Sequence, residues 1–142
     1  MLPIPVTHFK EAGAPGAGAS AADVDHDEEK RQRPERVVVC ASCGHQVAKV
    51  TDRIEVAGRH LHTCVNPAGY VYRIACYRRA GGCIGEGSWS DYYTWFAGYF
   101  WQLSCCGCCG IHLGWGFSGD SDDFHGLIAD RVVEQDADRG SN

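Results

Sequence analysis

Two cysteine pairs carry the clearest potential for chemistry in this 142-residue sequence. Cys40-Ala-Ser-Cys43 and Cys106-Gly-Cys-Cys109 each have two residues between their cysteines, a spacing at which a tight turn directs both sulfurs at one metal ion. Zinc takes four thiolates in a tetrahedron, so the two pairs together would satisfy it. Because four protein ligands leave no open position for water, we predict a structural zinc site rather than a catalytic one.

The register of the second pair is ambiguous, because Cys105 and Cys108 have the same spacing. Gly44 directly follows the first pair and Gly110 follows Cys109 in the same way, which favours the later register. The segment between the pairs is far longer than the spacer of about 12–20 residues in a compact zinc finger. The metal would therefore tie together two distant hairpins of one domain. The alternative is a set of unrelated buried or disulfide-bonded cysteines, and burial is the default for the remaining ones: Cys64, Cys76 and Cys83.

A cluster of aromatic residues surrounds the second cysteine pair. Trp95 and Trp101 are an even number of residues apart, so in an extended segment they would face the same side. The cysteine turn would then fold the chain back and bring Trp115 beside them. Three converging indoles would form an apolar pocket for a small ligand, with backbone groups supplying the polar contacts. The alternative is that these tryptophans simply belong to the core.

The elements that must position these residues are short and β-like. Runs of β-branched and aromatic residues between Gly, Pro and Asn turns predict strands, and the predicted strands are 37–39, 47–51, 53–56, 60–65, 70–77, 111–117 and 124–133. The glycine-rich segment 81–88 is predicted to be a loop. No helix is predicted, so the fold class is all-β with many short antiparallel strands. Residues 36–134 would form this domain.

The two ends of the chain have a different composition. Residues 1–35 are low in complexity and then highly charged, with too little apolar surface to offset the entropy cost of folding, so we expect a disordered tail. Residues 135–142 are predicted to be a polar C-terminal tail. The N-terminus has neither the basic nor the apolar region of a secretory signal, so we expect a cytoplasmic protein with reduced or metal-bound cysteines.

Charge and hydropathy exclude two classes of partner. The net charge is −5 and the pI is about 5.7, whereas nucleic-acid binding normally needs a basic face. No apolar run approaches the roughly 18–20 residues of a transmembrane helix. We therefore expect no nucleic-acid partner and no membrane association.

Five motifs together closely resemble the CULT domain, the ligand-binding domain of the cereblon family and of its single-domain bacterial relatives. They are Cys40-Ala-Ser-Cys43-Gly44, Val65-Asn66-Pro67-Ala68-Gly69-Tyr70-Val71, Trp95-Phe96-Ala97-Gly98-Tyr99-Phe100-Trp101, Cys106-Gly107-Cys108-Cys109 and His112-Leu113-Gly114-Trp115-Gly116-Phe117. The resemblance covers residues 36–134. It implies a β-tent fold, in which two antiparallel sheets meet at a steep angle and are pinned by zinc. It also implies the Cys106–Cys109 register.

The resemblance further implies a binding site for cyclic imides. A cage of three tryptophans would hold a glutarimide, a succinimide or a thalidomide-like drug, and Phe117 would close it. Backbone groups of Tyr93 and Trp95 would bond the imide, and Asn66 would face the exposed end of the ligand. Where the family often has proline this chain has Ala97, which affects only loop stiffness. The implied site residues are Asn66, Tyr93, Trp95, Trp101, Trp115 and Phe117.

The function expected from this resemblance is binding, not catalysis. The ligand would be a small cyclic imide, a protein C-terminus carrying a cyclic imide formed by damage to Asn or Gln, or a uridine-like molecule, bound by a monomer. The resemblance does not extend to the Lon-like domain or the adaptor-binding region of full cereblon, so we expect no ubiquitin-ligase assembly. A further possibility is a zinc-stabilised protein-interaction domain.

The enzymatic alternative is a methionine sulfoxide reductase of the B type. That family shares the β-tent and the two zinc-binding cysteine pairs, but it needs a catalytic cysteine near the C-terminus. No cysteine follows Cys109 in this sequence. Cys76 or Cys83 would have to serve as the nucleophile instead, and we therefore predict that the protein is not an enzyme.

Overall fold

Nine β-strands in two antiparallel sheets make up the fold in the computed structural model, which describes residues 35–137. Within this range there is no α-helix, only two short 3₁₀ turns at Val50–Asp52 and Ala129–Arg131. The all-β prediction is confirmed. The strands are β1 (Arg36–Cys40), β2 (Gln46–Lys49), β3 (Leu61–Val65), β4 (Val71–Tyr77), β5 (Cys83–Ser90), β6 (Phe100–Cys106), β7 (His112–Ser118), β8 (Asp123–Ile128) and β9 (Val132–Asp136).

The two sheets differ in size. The small sheet has the order β2-β1-β9, and the large sheet has the order β3-β4-β8-β7-β6-β5. β1 pairs with β9 from Arg36↔Asp136 to Cys40↔Val132, so the first and last strands of the described range lie side by side. β9 thus extends beyond residue 134, the predicted domain end. The rest of the predicted tails, residues 1–34 and 138–142, lies outside the described residues.

The prediction of a loop at 81–88 is wrong. This segment forms most of β5, an edge strand whose residues pair with β6 from Cys83↔Cys106 to Glu86↔Leu103. Pairing with β6 overrides the low intrinsic strand preference of glycine. A Cβ atom at Gly85 would displace the end of the Gln102 side chain on β6.

Two predicted strands are interrupted by turns. The predicted strand 124–133 breaks at Ala129–Arg131, which sends β8 into the large sheet and β9 into the small one. The predicted strand 47–51 ends at Lys49, whose N–H donates to the Asp52 carboxylate at 3.2 Å and so favours a turn over an extended chain. The predicted strand 53–56 is reduced to isolated bridges.

Side chains on the two faces of the large sheet form two separate cores. One face carries an aromatic core, in which the Phe117 and Phe124 rings stack with centroids 5.0 Å apart. The other face packs against the small sheet through Leu113, Leu127 and Val38, which are all fully buried. The alternation of side chains along each strand separates the two cores, and the aromatic face is the one that carries the predicted ligand site.

Candidate functional site

The sulfur atoms of four cysteines converge where the two sheets meet. All of them lie within 4.8 Å of one another, and the Sγ atoms of Cys40 and Cys109 are 3.8 Å apart, while those of Cys43 and Cys106 are 3.6 Å apart. One pair begins at the last residue of β1 and the other at the last residue of β6, so each sheet supplies one pair. This confirms the Cys106–Cys109 register. Four thiols this close together fit a metal ion that takes four sulfur ligands.

The two cysteine turns have the same backbone geometry. The Gly44 N–H donates to the Cys40 carbonyl at 2.8 Å, and the Gly110 N–H donates to the Cys106 carbonyl at 2.9 Å. Both glycines adopt a left-handed conformation, with φ of 82° and 81°, which a residue with a Cβ atom adopts only at a cost. The glycine after each pair is therefore the feature that selects the register.

Local hydrogen bonds prepare one of these sulfurs for metal binding. Burial on its own raises the pKa of the Cys106 thiol. The backbone N–H groups of Cys109 and Cys108, which point at its Sγ from 3.4 and 3.3 Å, together with the thiols of Cys43 and Cys109, outweigh burial and lower that pKa. A thiolate is the form that binds a metal ion. Cys108 is exposed and Cys105 lies 3.9 Å from the Glu86 carboxylate, so neither belongs to the cluster.

A cavity of about 350 Å³ opens on the aromatic face of the large sheet. All six positions predicted for the ligand site line this cavity. Five further residues, which the prediction did not include, complete the lining. The full set is Asn66, Pro67, Tyr72, Tyr92, Tyr93, Trp95, Trp101, Leu103, His112, Trp115 and Phe117.

Trp115 lines the cavity and packs against several of the other aromatic residues that line it. Its ring meets the Trp95 ring edge-to-face, with centroids 4.8 Å apart, and it meets the Tyr72 ring in the same way at 5.1 Å. Edge-to-face packing is the arrangement that aromatic quadrupoles favour. Phe117 is fully buried beneath the cavity and pairs across the sheet with Trp101.

Trp95 reaches the cavity by a route that the sequence did not predict. The segment between β5 and β6 is a loop, so Trp95 and Trp101 do not lie on one extended strand. Instead, the indole N–H of Trp95 donates to the Val65 carbonyl at 3.0 Å, and the indole N–H of Trp101 donates to the Tyr92 carbonyl at 2.8 Å. These bonds fix both rings and leave their apolar faces free to line the cavity.

The loop at the cavity mouth presents backbone polar groups. Tyr93 has a left-handed backbone with φ of 56°, a strained conformation for a residue other than glycine. Its side chain is 52% exposed. The hydrogen bonds formed among residues 35–137 leave the Tyr93 carbonyl and the Trp95 N–H without a protein partner. One acceptor and one donor thus stand together beside the three indoles.

Asn66 lies on the rim and has a structural task of its own. Its side-chain oxygen accepts hydrogen bonds from the N–H groups of Ala68 at 3.0 Å and Tyr70 at 2.9 Å. These bonds hold the turn between β3 and β4. Both acceptor positions of this oxygen are therefore occupied, and only the Asn66 amide N–H₂ group is left to contact a ligand.

His112 was missed because the strand that carries it is irregular. Strict alternation would place it on the face opposite to Trp115, but the β6–β7 register shifts between Ser104 and Cys105, and such a bulge re-aims side chains. The His112 ring meets the Trp115 ring edge-to-face at 4.9 Å. Its Nε2 donates to the Gly114 carbonyl at 2.8 Å, and burial lowers its pKa. The neutral ring is thus a cavity wall.

The cysteines considered as catalytic nucleophiles have unsuitable surroundings. Burial raises the pKa of the Cys76 thiol to about 12 and that of the Cys83 thiol to about 11. Nucleophilic cysteines have lowered pKa values, because the thiolate is the reactive form. These surroundings do not favour a reductase of the methionine sulfoxide type. Separately, none of the helical segments in residues 35–137 has the length and apolar character to span a membrane.

Comparison with known proteins relates the described domain to one group of proteins. No protein-family model matches the chain. Protein cereblon of Danio rerio is 32% identical over 83 residues, which are 56% of this chain and 19% of that protein. Protein cereblon of Gallus gallus is 31% identical over 88 residues, with 59% and 19% covered. Protein cereblon of Drosophila melanogaster is 31% identical over 88 residues, with 60% and 15% covered. The chain matches about a fifth or less of the length of these relatives.

Proposed function

Because this chain carries a domain of the cereblon family, we propose that its tryptophan-lined cavity binds cyclic imides of the glutarimide or succinimide type, including thalidomide-like drugs. The observation that carries the proposal is the pairing of three indole walls with a free backbone acceptor and donor at the mouth. No aspartate, glutamate, lysine or arginine lines the cavity among residues 35–137. A neutral ligand is therefore favoured over a charged one.

The chemistry of an imide matches these groups. An imide ring is compact, has two apolar faces, and carries one N–H between two carbonyls. The faces would contact the indoles of Trp95, Trp101 and Trp115, which gives the main favourable term through apolar burial. The imide N–H would donate to the Tyr93 carbonyl, and an imide carbonyl would accept from the Trp95 N–H. Every polar group buried by binding would then have a partner.

The open mouth sets the range of ligands that we propose. A protein C-terminus that ends in a cyclic imide could enter ring first, with the rest of the chain leaving past Asn66 and Tyr93. A uracil ring also has an N–H between two carbonyls, so uridine-like ligands belong to the same class. In each case the domain is a monomeric binding module and not an enzyme.

The metal in this proposal is zinc with a structural role. Its ligands would be Cys40, Cys43, Cys106 and Cys109, and the ion would tie the small sheet to the large one without an open coordination position. A site of reduced cysteines is stable in a reducing compartment, so a cytoplasmic location is part of the proposal. Elemental analysis of the purified chain should find one zinc ion per chain.

Calorimetric titration with thalidomide and with glutarimide tests the binding proposal. N-methylation of the imide removes its donor and leaves the Tyr93 carbonyl unpaired, a loss of about 1–3 kcal/mol or roughly 5- to 150-fold in affinity. The N-methyl compound is thus the matched control ligand. Trp101→Ala should remove binding, whereas Trp89→Ala should not, because Trp89 is outside the lining of the cavity.

Two results would contradict the proposal. One is the absence of binding heat and of a fluorescence change with either imide, and the other is equal affinity for the imide and its N-methyl form. Turnover of methionine sulfoxide with a thiol reductant would instead support the enzymatic alternative. A positive titration that is unchanged in Trp101→Ala would place the ligand somewhere other than in this cavity.

A further inference from the structure

A fifth cysteine lies directly across the sheet from one of the four clustered cysteines. The register of β5 with β6 pairs Cys83 with Cys106. The Gly107 N–H donates to the Gly82 carbonyl at 2.9 Å, so the neighbouring pair is hydrogen-bonded and Cys83–Cys106 is a non-hydrogen-bonded pair. In such a pair the Cα atoms are about 4.5 Å apart and the side chains are closest, which lies within the Cα separation of about 4.4–6.8 Å in disulfides.

The surroundings of Cys83 keep it beside the cluster but outside it. Its side chain packs against the same apolar core as Cys40 and Cys106. Its sulfur is not one of the four that lie within 4.8 Å of one another. Cys43 and Cys109 are exposed whereas Cys40 and Cys106 are buried, so a small solute from solvent meets the cluster first at Cys43 and Cys109. Cys83 is thus a spare thiol next to an accessible metal-binding group.

We propose that Cys83 and Cys106 form a thiol-oxidation site, at which a hydroperoxide joins the two sulfurs and so removes one of the four metal ligands. The chemistry requires only the two cysteines and one molecule of oxidant. It is independent of what the aromatic cavity binds.

Two displacements complete the reaction with hydrogen peroxide as the oxidant. The Cys106 thiolate attacks one peroxide oxygen, so an S–O bond forms, the O–O bond breaks and hydroxide leaves. The Cys83 sulfur then attacks the oxidised sulfur, so the S–S bond forms, the S–O bond breaks and a second hydroxide leaves. One hydroxide takes the Cys83 proton and becomes water. The two sulfurs lose two electrons and the peroxide gains them. The second step is intramolecular, which offsets the small thiolate fraction of a partly buried thiol.

Loss of Cys106 as a metal ligand weakens the connection between the two sheets. Oxidation leaves the thiols of Cys40, Cys43 and Cys109, and Cys106 is the ligand that lies in β6 itself. Three thiolates would hold zinc less tightly than four, so the ion would be released and the two sheets would lose this tie while keeping their shared apolar core. A thiol reductant breaks the disulfide and restores the site.

Among the cysteines outside the cluster, Cys105 and Cys108 are poorly placed for the same reaction, and the Cys43 sulfur, 3.6 Å from that of Cys106, is the competing partner inside it. Cys105 precedes Cys106 on β6, and successive side chains of a strand point to opposite faces. Its sulfur lies near the Glu86 carboxylate instead. Cys108 is exposed in the turn that follows Cys106, and it lacks a cross-strand partner position in the β5–β6 register. Both residues therefore provide matched control variants.

The test uses the full chain loaded with zinc and treated with hydrogen peroxide. Zinc release is followed with a chromogenic chelator, and the disulfide is located by peptide mapping without reduction. We expect a Cys83–Cys106 cross-link, and zinc release that is about tenfold slower in Cys83→Ser than in wild type. Cys105→Ser and Cys108→Ser should release zinc at the wild-type rate. Treatment with dithiothreitol should allow zinc to bind again.

The proposal is overturned if the cross-link joins Cys106 to any cysteine other than Cys83, or if Cys83→Ser releases zinc as fast as wild type. If Cys83→Ser folds poorly, the rate of zinc release from Cys83→Ala and the peptide map of the wild type test the proposal in the same way. Failure of imide binding would leave these measurements unaffected, because none of them involves the cavity.

Discussion

Replacing Trp115 by alanine tests whether this residue is both a cavity wall and part of the core. Only 8% of its surface is exposed, and its ring makes edge-to-face contacts with Trp95 at 4.8 Å, His112 at 4.9 Å and Tyr72 at 5.1 Å. Deleting a buried tryptophan side chain costs about 3–5 kcal/mol. The rings around it are fixed by hydrogen bonds to the backbone, as in Trp95 and His112, so they cannot collapse into the space.

The matched control is the same substitution at Trp89. That side chain is 47% exposed on the edge strand β5, so Trp89→Ala should lower the free energy of unfolding by only about 1 kcal/mol or less. Urea denaturation of the zinc-loaded chain should be followed by far-ultraviolet circular dichroism, because both variants remove a fluorophore. The m-values should match that of the wild type, since similar surface is exposed on unfolding.

Two outcomes would refute the reasoning. Equal losses in the two variants would mean that exposure does not set the cost of removing tryptophan from this domain. A loss below about 1 kcal/mol in Trp115→Ala would mean that the three aromatic contacts do not hold the cavity together. In the second case, contacts other than these three would have to hold the cavity walls in place, and the imide proposal would lose its structural support.

Three further predictions concern the metal turns and the response to acid. Cys109→Ser should weaken zinc affinity by more than about 100-fold in a chelator competition, whereas Cys108→Ser should not change it, since only the first belongs to the cluster. Gly110→Ala should lower stability in urea by about 1–2 kcal/mol because of its left-handed backbone, whereas Gly81→Ala, which also has open space around its Cβ position, should change it little. Burial lowers the pKa of His125. Its neutral form therefore stabilises the fold above about pH 6.5, and this contribution is lost as the pH falls through the lowered pKa. The difference in free energy of unfolding between wild type and His125→Asn should accordingly become smaller between about pH 7.5 and pH 5.5.

The metal site could be predicted from the sequence because its geometry is local. Each cysteine pair is one turn, and a turn needs only its own residues and a glycine with φ above zero, at Gly44 and at Gly110. The strand content could be predicted for a similar reason, since β-branched runs prefer extended backbone wherever they lie. Ranges such as 70–77 and 111–117 therefore fall close to the observed strands β4 and β7.

The parts that could not be predicted depend on distant residues. Segment 81–88 contains little that favours a strand, and it becomes one only because β6 lies beside it. The break at Ala129–Arg131 depends on the pairing of β9 with β1. These two strands are separated in sequence by almost the whole domain. His112 points into the cavity because of a bulge in β7, its own strand, and a bulge is set by the pairing of two strands and not by the alternation of one.

The cavity is framed by segments that follow the two edge strands of the large sheet. β3 and β5 are the edge strands of this sheet, yet Trp95, on the loop that follows β5, bonds the carbonyl of Val65 at the end of β3. A flat six-stranded sheet would hold its edges about 24 Å apart at the usual strand spacing, so the β5–β6 loop must extend over the aromatic face to make this bond. The β3–β4 turn and the β5–β6 loop thus share one opening, which Asn66 and Tyr93 both line. A ligand in the cavity therefore touches segments that are distant in sequence, and these segments are held together by the indole-to-carbonyl bond between Trp95 and Val65 and by the edge-to-face contact of Phe96 with His62 on β3.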